Sequence, residues 1–183
     1  MRYIILCIFL ALTTCLYADE PKSKAIRKYE NEVEVLRKAA QITCEAHIAA
    51  MRMTKPGIFE YQLEAKIGHV FRDRGGNGPG YTTIVGGGEN AVILHYITND
   101  AELKDGDLVC IDAGCEYGFY TADVTRTWPI NGTFSEAQKE LYSAVLLAQE
   151  RAISKAISGN RFIDVHNEAV RSLTESMVEL GFL

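Results

Sequence analysis

The chain has 183 residues, of which 48% are hydrophobic and 23% charged, so it has the composition of a protein that buries a core rather than that of a disordered chain. This length leaves room for one ordinary domain. Lysine and arginine number 19 against 24 aspartate and glutamate residues, and the net charge of −5 excludes the basic surplus that nucleic-acid phosphates or an anionic membrane require.

The first 18 residues have the composition of an export signal. Met1–Ala18 carries one charge, Arg2, and 15 of its residues are hydrophobic. A basic start, an apolar run of about ten residues and a small residue at the break are typical of a signal peptide, whereas a membrane-spanning helix needs about 20 apolar residues. We therefore predict a signal peptide at 1–18, a linker at 19–30 and export of the chain. If the leader is not genuine, the chain is cytoplasmic or anchored.

Two helices are predicted after the linker. Asn31 and Glu34 have the spacing of a capping box, and the apolar pattern that follows them ends at Pro56. Apolar residues recur at helical spacing at Val35, Ala39, Ile42, Ala46, Ala49 and Met53. A second helix is predicted over about 59–74, and the glycine-rich sequence 75–80 indicates a loop.

The middle of the chain has strand-like patterns. Strands are predicted at 81–85, 92–94, 108–113 and 119–127, separated by segments rich in glycine and polar residues. The glycine run 86–88 is not followed by the helix start of a phosphate-binding loop, so we predict a turn there.

The pattern returns to helices towards the C-terminus. Ser135 and Gln138 form a second capping box, before a helix predicted to end at Gly159. Its apolar stripe is Leu141, Val145, Ala148, Ala152 and Ala156. A last helix is predicted over about 163–180. Helices, strands and helices in this order predict an α+β domain, with a mainly antiparallel sheet flanked by helices.

Asp112 and Asp123 are candidates for a metal site. If strands 108–113 and 119–127 form a hairpin closing at Tyr117–Gly118, residues whose numbers sum to 235 face each other, and the two aspartates are such a pair. Their carboxylates, about 5 Å apart, would repel by about 3 kcal/mol at an effective dielectric of about 20. A divalent cation between them would remove that repulsion, because hard metals take carboxylate oxygens. The alternative is a pair of turn aspartates without a metal.

The histidines give a weaker indication of a functional site than the two aspartates. His95 closes the predicted strand 92–94, and a lone histidine at such a position is more often structural than functional. His47, His69 and His166 fall on predicted helices without a partner at metal-ligand spacing, so we interpret them as structural.

Several motifs in a fixed order resemble one known family. They are YTTIVGGGEN at 81–90, ILHY at 93–96, DGDLV at 105–109, IDAGCEY at 111–117 and DVTRTWP at 123–129. From about Glu32 to Leu183 the chain resembles the Xaa-Pro aminopeptidases (aminopeptidase P) of the pita-bread metallopeptidases. The resemblance implies a partial pita-bread fold, with 31–183 as the amino-terminal half of its catalytic domain.

The resemblance implies a hydrolase that releases the N-terminal residue from peptides with proline at the second position. In that family two divalent ions, commonly manganese with cobalt or zinc as alternatives, lower the pKa of a bound water and stabilise charge on the attacked carbonyl. It implies that Asp112 and Asp123 are metal ligands and that His95 is a catalytic residue contacting substrate near the scissile bond. Thr125 and Arg126 would hold the ligands in place without binding metal themselves.

The family completes its site with a histidine and two glutamates that the matching motifs do not supply. We therefore expect an incomplete site in this chain alone. The alternatives are a non-catalytic interaction protein of the same fold, a homo-oligomer in which a second copy completes the site, and the prolidase or methionine aminopeptidase branch. The expected partner is a peptide substrate, without nucleic acid.

Overall fold

A computed structural model describes residues 26–183, with the backbone alone for 26–30. The predicted leader 1–18 and the linker up to residue 25 lie outside the described residues. The chain divides into two compact units, one up to Thr133 (the N-terminal unit) and one from Phe134 to Leu183 (the C-terminal unit). No helix of the described part is long and apolar enough to span a membrane.

Helix α1, Ile26–Met53, begins before the predicted start at Asn31. Asn31 and Glu34 therefore lie inside the helix rather than at its cap, and residues 26–30 of the predicted linker are helical. The prediction is wrong because lysine, arginine and glutamate are good helix formers, so the charged residues before Asn31 continue the helix. The buried face combines small and apolar residues with two polar ones: Ala39, Ile42, Thr43, Ala46, His47 and Ala50.

Helix α2, Glu60–Asp73, confirms the second predicted helix. Its apolar residues Leu63, Ile67 and Phe71 are four positions apart and are fully buried. They share one hydrophobic cluster with the inner face of α1 and with strand residues such as Ile111.

The described strands form two three-stranded antiparallel sheets, as the α+β prediction requires. The strands are β1 (Gly78–Pro79), β2 (Ile84–Gly87), β3 (Leu108–Ala113), β4 (Cys115–Tyr117), β5 (Tyr120–Thr121) and β6 (Val124–Pro129). One sheet has the order β1-β4-β5 and the other β2-β3-β6.

The strand predicted at 92–94 is wrong. After β2 the chain forms a 3₁₀ turn, Gly88–Val92, and then an irregular turn. The reason lies at Gly86, where a Cβ would lie only 2.7 Å from the carbonyl oxygen of Asn90. Without that Cβ the chain folds directly back over β2, and the short apolar run has no strand to pair with.

The hairpin of β3–β4 with β5–β6 has a different register from the predicted one. Tyr117 pairs with Tyr120 and Asp112 with Thr125, so paired numbers sum to 237 rather than 235. The two-residue turn is Gly118–Phe119, one residue later than predicted. Both turn residues have positive φ, 58° and 68°, as a type I′ hairpin turn requires.

Asn99 satisfies the backbone at the outer edge of β2. Its Oδ1 accepts a hydrogen bond from Val85 N–H at 2.9 Å, and its Nδ2 donates to the carbonyl oxygen of Thr83 at 2.8 Å. Nδ2 also donates to Glu64 Oε2 at 2.9 Å, which ties the arrangement to α2. Asn99 is buried and has a positive φ of 50°.

The C-terminal unit is a pair of helices, α3 (Glu136–Ser154) and α4 (Phe162–Glu179). The predicted capping box is confirmed, because Ser135 N–H donates to Gln138 Oε1 at 2.9 Å and Gln138 N–H donates to Ser135 Oγ at 3.3 Å. Helix α3 ends before the predicted stop, so Ala156 lies beyond it. The rest of the predicted stripe is buried: Leu141, Val145, Ala148 and Ala152.

Candidate metal site

Asp112 and Asp123 share one hydrogen-bond partner although they are not directly opposite each other. The register places Thr125 opposite Asp112, so Asp123 takes the diagonal position two residues earlier, about 7 to 8 Å away on the same face. Both carboxylates contact the hydroxyl of Tyr81, Asp112 Oδ1 at 2.6 Å and Asp123 Oδ1 at 3.1 Å. The predicted direct pairing is wrong, but the two side chains still converge on one point.

Gly114, between β3 and β4, makes this convergence sterically feasible. A Cβ on Gly114 would overlap the carbonyl oxygen of Ala122 and would lie 2.9 Å from Cε1 of the Tyr81 ring. Because glycine has no Cβ, the opposite chain and the tyrosine ring approach the hairpin closely here. Asp123, which follows Ala122, is thereby brought close to the Tyr81 hydroxyl.

The surroundings of the carboxylate pair favour the protonated form of Asp112. Burial raises the pKa of Asp112, and the neighbouring charge of Asp123 raises it further, while the hydrogen bond from Tyr81 opposes the shift. Burial and the two carboxylates also raise the pKa of Tyr81 well above its ordinary value, so its hydroxyl stays protonated. The Tyr81 hydroxyl has one hydrogen for two carboxylates, so it cannot bond fully to both at once, and a cation bound between them would favour their charged forms.

The donor chemistry at this point fits a hard divalent cation. Two half-buried carboxylates converge there, and oxygen ligands of this kind are those that manganese and similar ions take. Among the described residues no group of three or more histidine, cysteine, aspartate or glutamate side chains is arranged to hold a metal ion. Asp112 and Asp123 would supply two ligands at most, and the remainder of a coordination shell would come from water or from other groups.

Thr125 and Arg126, predicted to support the ligands, occupy different positions. Thr125 is buried opposite Asp112; its Oγ1 has no hydrogen-bond partner at bonding geometry within the described residues, yet it is near enough to lower the pKa of Asp112. Arg126 is paired with Ile111 and so lies on the other face; its Nη1 donates to the carbonyl oxygen of Thr125 at 2.7 Å. Their supporting roles stay predictions.

His95 lies in the turn after the 3₁₀ segment, not at the end of a strand. It is exposed, and its φ of 55° is in the left-handed region that a residue other than glycine seldom adopts. It lines one groove with Asp112, Thr125 and these further residues: Ile84, Gly86, Asn90, Ala91, Ile93, Leu94 and Cys110. Strained residues beside a groove are common at functional sites.

Two residues that organise this region were missed by sequence reasoning. Tyr81 stands at the start of the first quoted motif, and its place there was the only signal available. Glu60 gave no signal, because a glutamate in the first turn of a helix is normally exposed, whereas here it is fully buried.

Comparison with known proteins identifies the family to which this chain belongs. The profile of metallopeptidase family M24 matches residues 34–182, and the chain belongs to this family. The Xaa-Pro aminopeptidases of Haemophilus influenzae and Escherichia coli are each 48% identical to it over 156 residues, which are 85% of this chain and 36% and 35% of those proteins. The chain thus spans about a third of the length of these curated relatives.

Solved structures show the same fold. The Pseudomonas aeruginosa aminopeptidase PepP matches with a TM-score of 0.82 and 48% identity over 84% of this chain and 35% of that chain. A glutamate-to-alanine variant of E. coli aminopeptidase P in complex with substrate gives the same values. The described chain therefore has the α+β pita-bread fold of the matching third of these enzymes.

Proposed function

We propose that this chain carries part of the active site of an Xaa-Pro aminopeptidase, a metal-dependent hydrolase that releases the N-terminal residue from peptides with proline second. The observation that carries the proposal is the meeting of Asp112 and Asp123 at one hydroxyl, in a chain 48% identical to proteins of that name. Two divalent ions are the proposed cofactors, with manganese preferred over cobalt or zinc. A zinc-substituted E. coli aminopeptidase P among the similar structures supports the use of divalent metal.

Each residue has a distinct role in this proposal. Asp112 and Asp123 would hold the cations, and Tyr81 orients both carboxylates through its hydroxyl. When bound, the cations would activate a water and stabilise charge on the attacked carbonyl. His95, on the exposed side of the same groove, would contact the peptide near the scissile bond, while Thr125 and Arg126 would steady the strand that bears the ligands.

Metal binding is the first test. We expect the chain to bind manganese(II) in isothermal titration calorimetry, and Asp112→Asn and Asp123→Asn each to weaken binding at least tenfold because each removes a ligand. Asp73→Asn is the matched control, since Asp73 is an exposed carboxylate on α2. Failure of the unmodified chain to bind manganese would contradict the proposal.

Cleavage is the second test. With manganese, a tripeptide with proline second should lose its N-terminal residue, and one with alanine second should not. Two aspartates cannot fill the coordination shells of two metal ions. We therefore expect weak activity unless another source, such as a second copy of the chain, supplies ligands. Light scattering with and without manganese would detect such an oligomer.

A dipeptidase is the second candidate function. The mouse Xaa-Pro dipeptidase is 38% identical over 161 residues, which are 85% of this chain and 33% of that protein. An enzyme of this kind would cleave an Xaa-Pro dipeptide in preference to the tripeptide. We favour the aminopeptidase because its relatives share more identical residues.

Export remains part of the proposal. The leader composition at 1–18 supports it. N-terminal sequencing of the mature chain from its native cells should find a start just after Ala18, and a start at Met1 in a cytoplasmic fraction would contradict it.

A further inference from the structure

One buried carboxylate closes the segment that carries His95. Glu60 is fully buried, and it accepts hydrogen bonds from Gly87 N–H at 2.8 Å and from Ala101 N–H at 2.9 Å. Its own backbone N–H donates to the carbonyl oxygen of Ala101 at 3.0 Å. A single residue of α2 therefore ties together both ends of the loop 88–100.

Two side chains inside the loop reach the same carboxylate. Asn90 Nδ2 donates to Glu60 Oε1 at 3.1 Å, and the Tyr96 hydroxyl donates to Oε2 at 2.8 Å. With the two backbone donors, each carboxylate oxygen accepts two hydrogen bonds, which is its full capacity. Burial and the bond to Glu60 raise the pKa of Tyr96 to about 12, so this hydroxyl remains a donor.

The exposed surroundings of His95 do little to fix its conformation. Its side chain is exposed, as are the neighbouring apolar side chains of Ile93, Leu94 and Ile97. The left-handed φ costs on the order of 1 to 2 kcal/mol, so a loop without anchors would relax out of it. The adjacent Tyr96, held by Glu60, is half-buried.

We propose that Glu60 is a positioning residue that closes the loop 88–100 and thereby holds His95 at the groove beside Asp112. The catalytic part of this inference rests on the proposed function, since it takes His95 as the group that meets substrate. Glu60 is fully buried and acts only through the loop.

The Glu60→Gln variant tests this arrangement because it keeps the shape of the side chain. In either orientation the amide NH₂ replaces an oxygen that accepts from a backbone N–H, either Gly87 or Ala101, and two donors then face each other. One of the two side-chain hydrogen bonds that anchor the loop ends is therefore lost in both orientations. Glu89→Gln is the matched control, because Glu89 is an exposed carboxylate of the same loop.

The first readout needs no catalysis. In the full chain, Glu60→Gln should lower the hydrogen-exchange protection of the Gly87 or Ala101 amide at least tenfold and increase fast backbone motion over 88–98, while amides of α1 keep their protection. Two results would overturn the proposal: a loop that stays as ordered as in the unmodified chain, or an equal loss of protection throughout the N-terminal unit, which would make the role of Glu60 purely structural.

The second readout separates positioning from metal binding. With manganese and an Xaa-Pro tripeptide, we expect Glu60→Gln to lower kcat at least tenfold with manganese affinity within about twofold of the unmodified chain, because the hairpin and not the loop carries the two aspartates. An equal fall in manganese affinity would overturn the proposal. The exchange measurement decides the role of Glu60 even if the unmodified chain, which carries only part of the proposed site, does not cleave.

Tyr96→Phe provides an independent variant if Glu60→Gln does not fold. It removes one of the four hydrogen bonds and leaves the carboxylate in place. We expect a smaller increase in motion, centred on residues 94–98, and a smaller fall in kcat. A Tyr96→Phe chain with unchanged loop motion and unchanged kcat would contradict the proposal.

Discussion

At the scale of single residues, Tyr81 links the two aspartates of the candidate site through its hydroxyl. Because its hydroxyl contacts both carboxylates, we expect Tyr81→Phe to weaken manganese binding about 10- to 100-fold, the usual effect of removing a group that orients metal ligands. Calorimetry measures this directly. Tyr61→Phe, which changes an exposed tyrosine of α2, should leave the affinity unchanged. Equal affinities for Tyr81→Phe and the unmodified chain would show that the hydroxyl does not orient the ligands.

His47 gives the N-terminal unit a predictable response to acid. It is buried, its Nδ1–H donates to the carbonyl oxygen of Thr43 at 3.0 Å, and its Nε2 has no partner within the described residues. Burial lowers its pKa; nearby backbone carbonyls oppose the shift, and the charge of Arg126 adds to it. The neutral imidazole is therefore the form that the folded chain accommodates.

The direction of the pH effect follows from this lowered pKa. The unfolded chain, with a histidine pKa of about 6.5, binds more protons than the folded chain just below that pH. The His47 contribution to the free energy of unfolding is therefore complete above about pH 6.5 and is lost as the pH falls towards the folded pKa. Urea unfolding between about pH 8 and 5 should show a smaller loss for His47→Gln than for the exposed control His69→Gln. Equal losses would contradict this assignment.

The candidate metal ligands could be predicted from the sequence, but the residues that form hydrogen bonds around the site could not. Asp112, Asp123 and His95 each lie in a short sequence motif that is recognisable without knowledge of the rest of the fold. Tyr81 meets the aspartates across 31 and 42 positions, and Glu60 meets its loop across 27 to 41 positions. Which polar side chain becomes buried against which donor is decided by packing between distant segments.

At the scale of secondary-structure elements, the predicted hairpin had the wrong register but still placed the two aspartates on the same face of the sheet. Moving the turn by one residue shifts every pairing by two, and because side chains alternate along a strand, a shift of two keeps each residue on its face. Asp112 and Asp123 thus remained on the same face. The turn itself was not predictable, because Phe119 with a positive φ and 94% exposure is an unusual residue for a type I′ turn.

Gly114 is the position where this hairpin tolerates change least. We expect Gly114→Ala to lower the free energy of unfolding by on the order of 3 kcal/mol, because the new Cβ would overlap the backbone of Ala122 and crowd Tyr81. Urea denaturation measures this. Gly68→Ala is the matched control: it lies in α2 with open space around the new Cβ, and it should raise stability by about 1 kcal/mol. If Gly114→Ala is neutral, the hairpin must be able to open at this point.

At the scale of the whole molecule, the order of helices and strands was predictable from the sequence. The division of the chain into two compact units was not. Periodicity and capping residues predicted helices at both ends and strands between them. The division after Thr133 had no signal, because Ser135 reads as an ordinary helix start and no change of composition marks the boundary.

The two units should respond differently to metal. The proposed ligands Asp112 and Asp123 belong to the N-terminal unit, so manganese at about 100 times its dissociation constant should stabilise that unit by about 2.7 kcal/mol. Hydrogen exchange should show added protection for core amides of α1 and β3 but not for those of α3 and α4. Equal added protection in both units would mean that the chain unfolds as one cooperative whole.

The amide of Asn99 has a consequence for solubility. Within the described sheet β2 is an edge strand, and open backbone donors and acceptors at an edge can recruit a foreign strand and start aggregation. By bonding to Val85 N–H and to the carbonyl oxygen of Thr83, the Asn99 side chain occupies the positions that such a strand would use. A primary amide thus serves as a one-residue substitute for a neighbouring strand, and it protects this edge from intermolecular pairing.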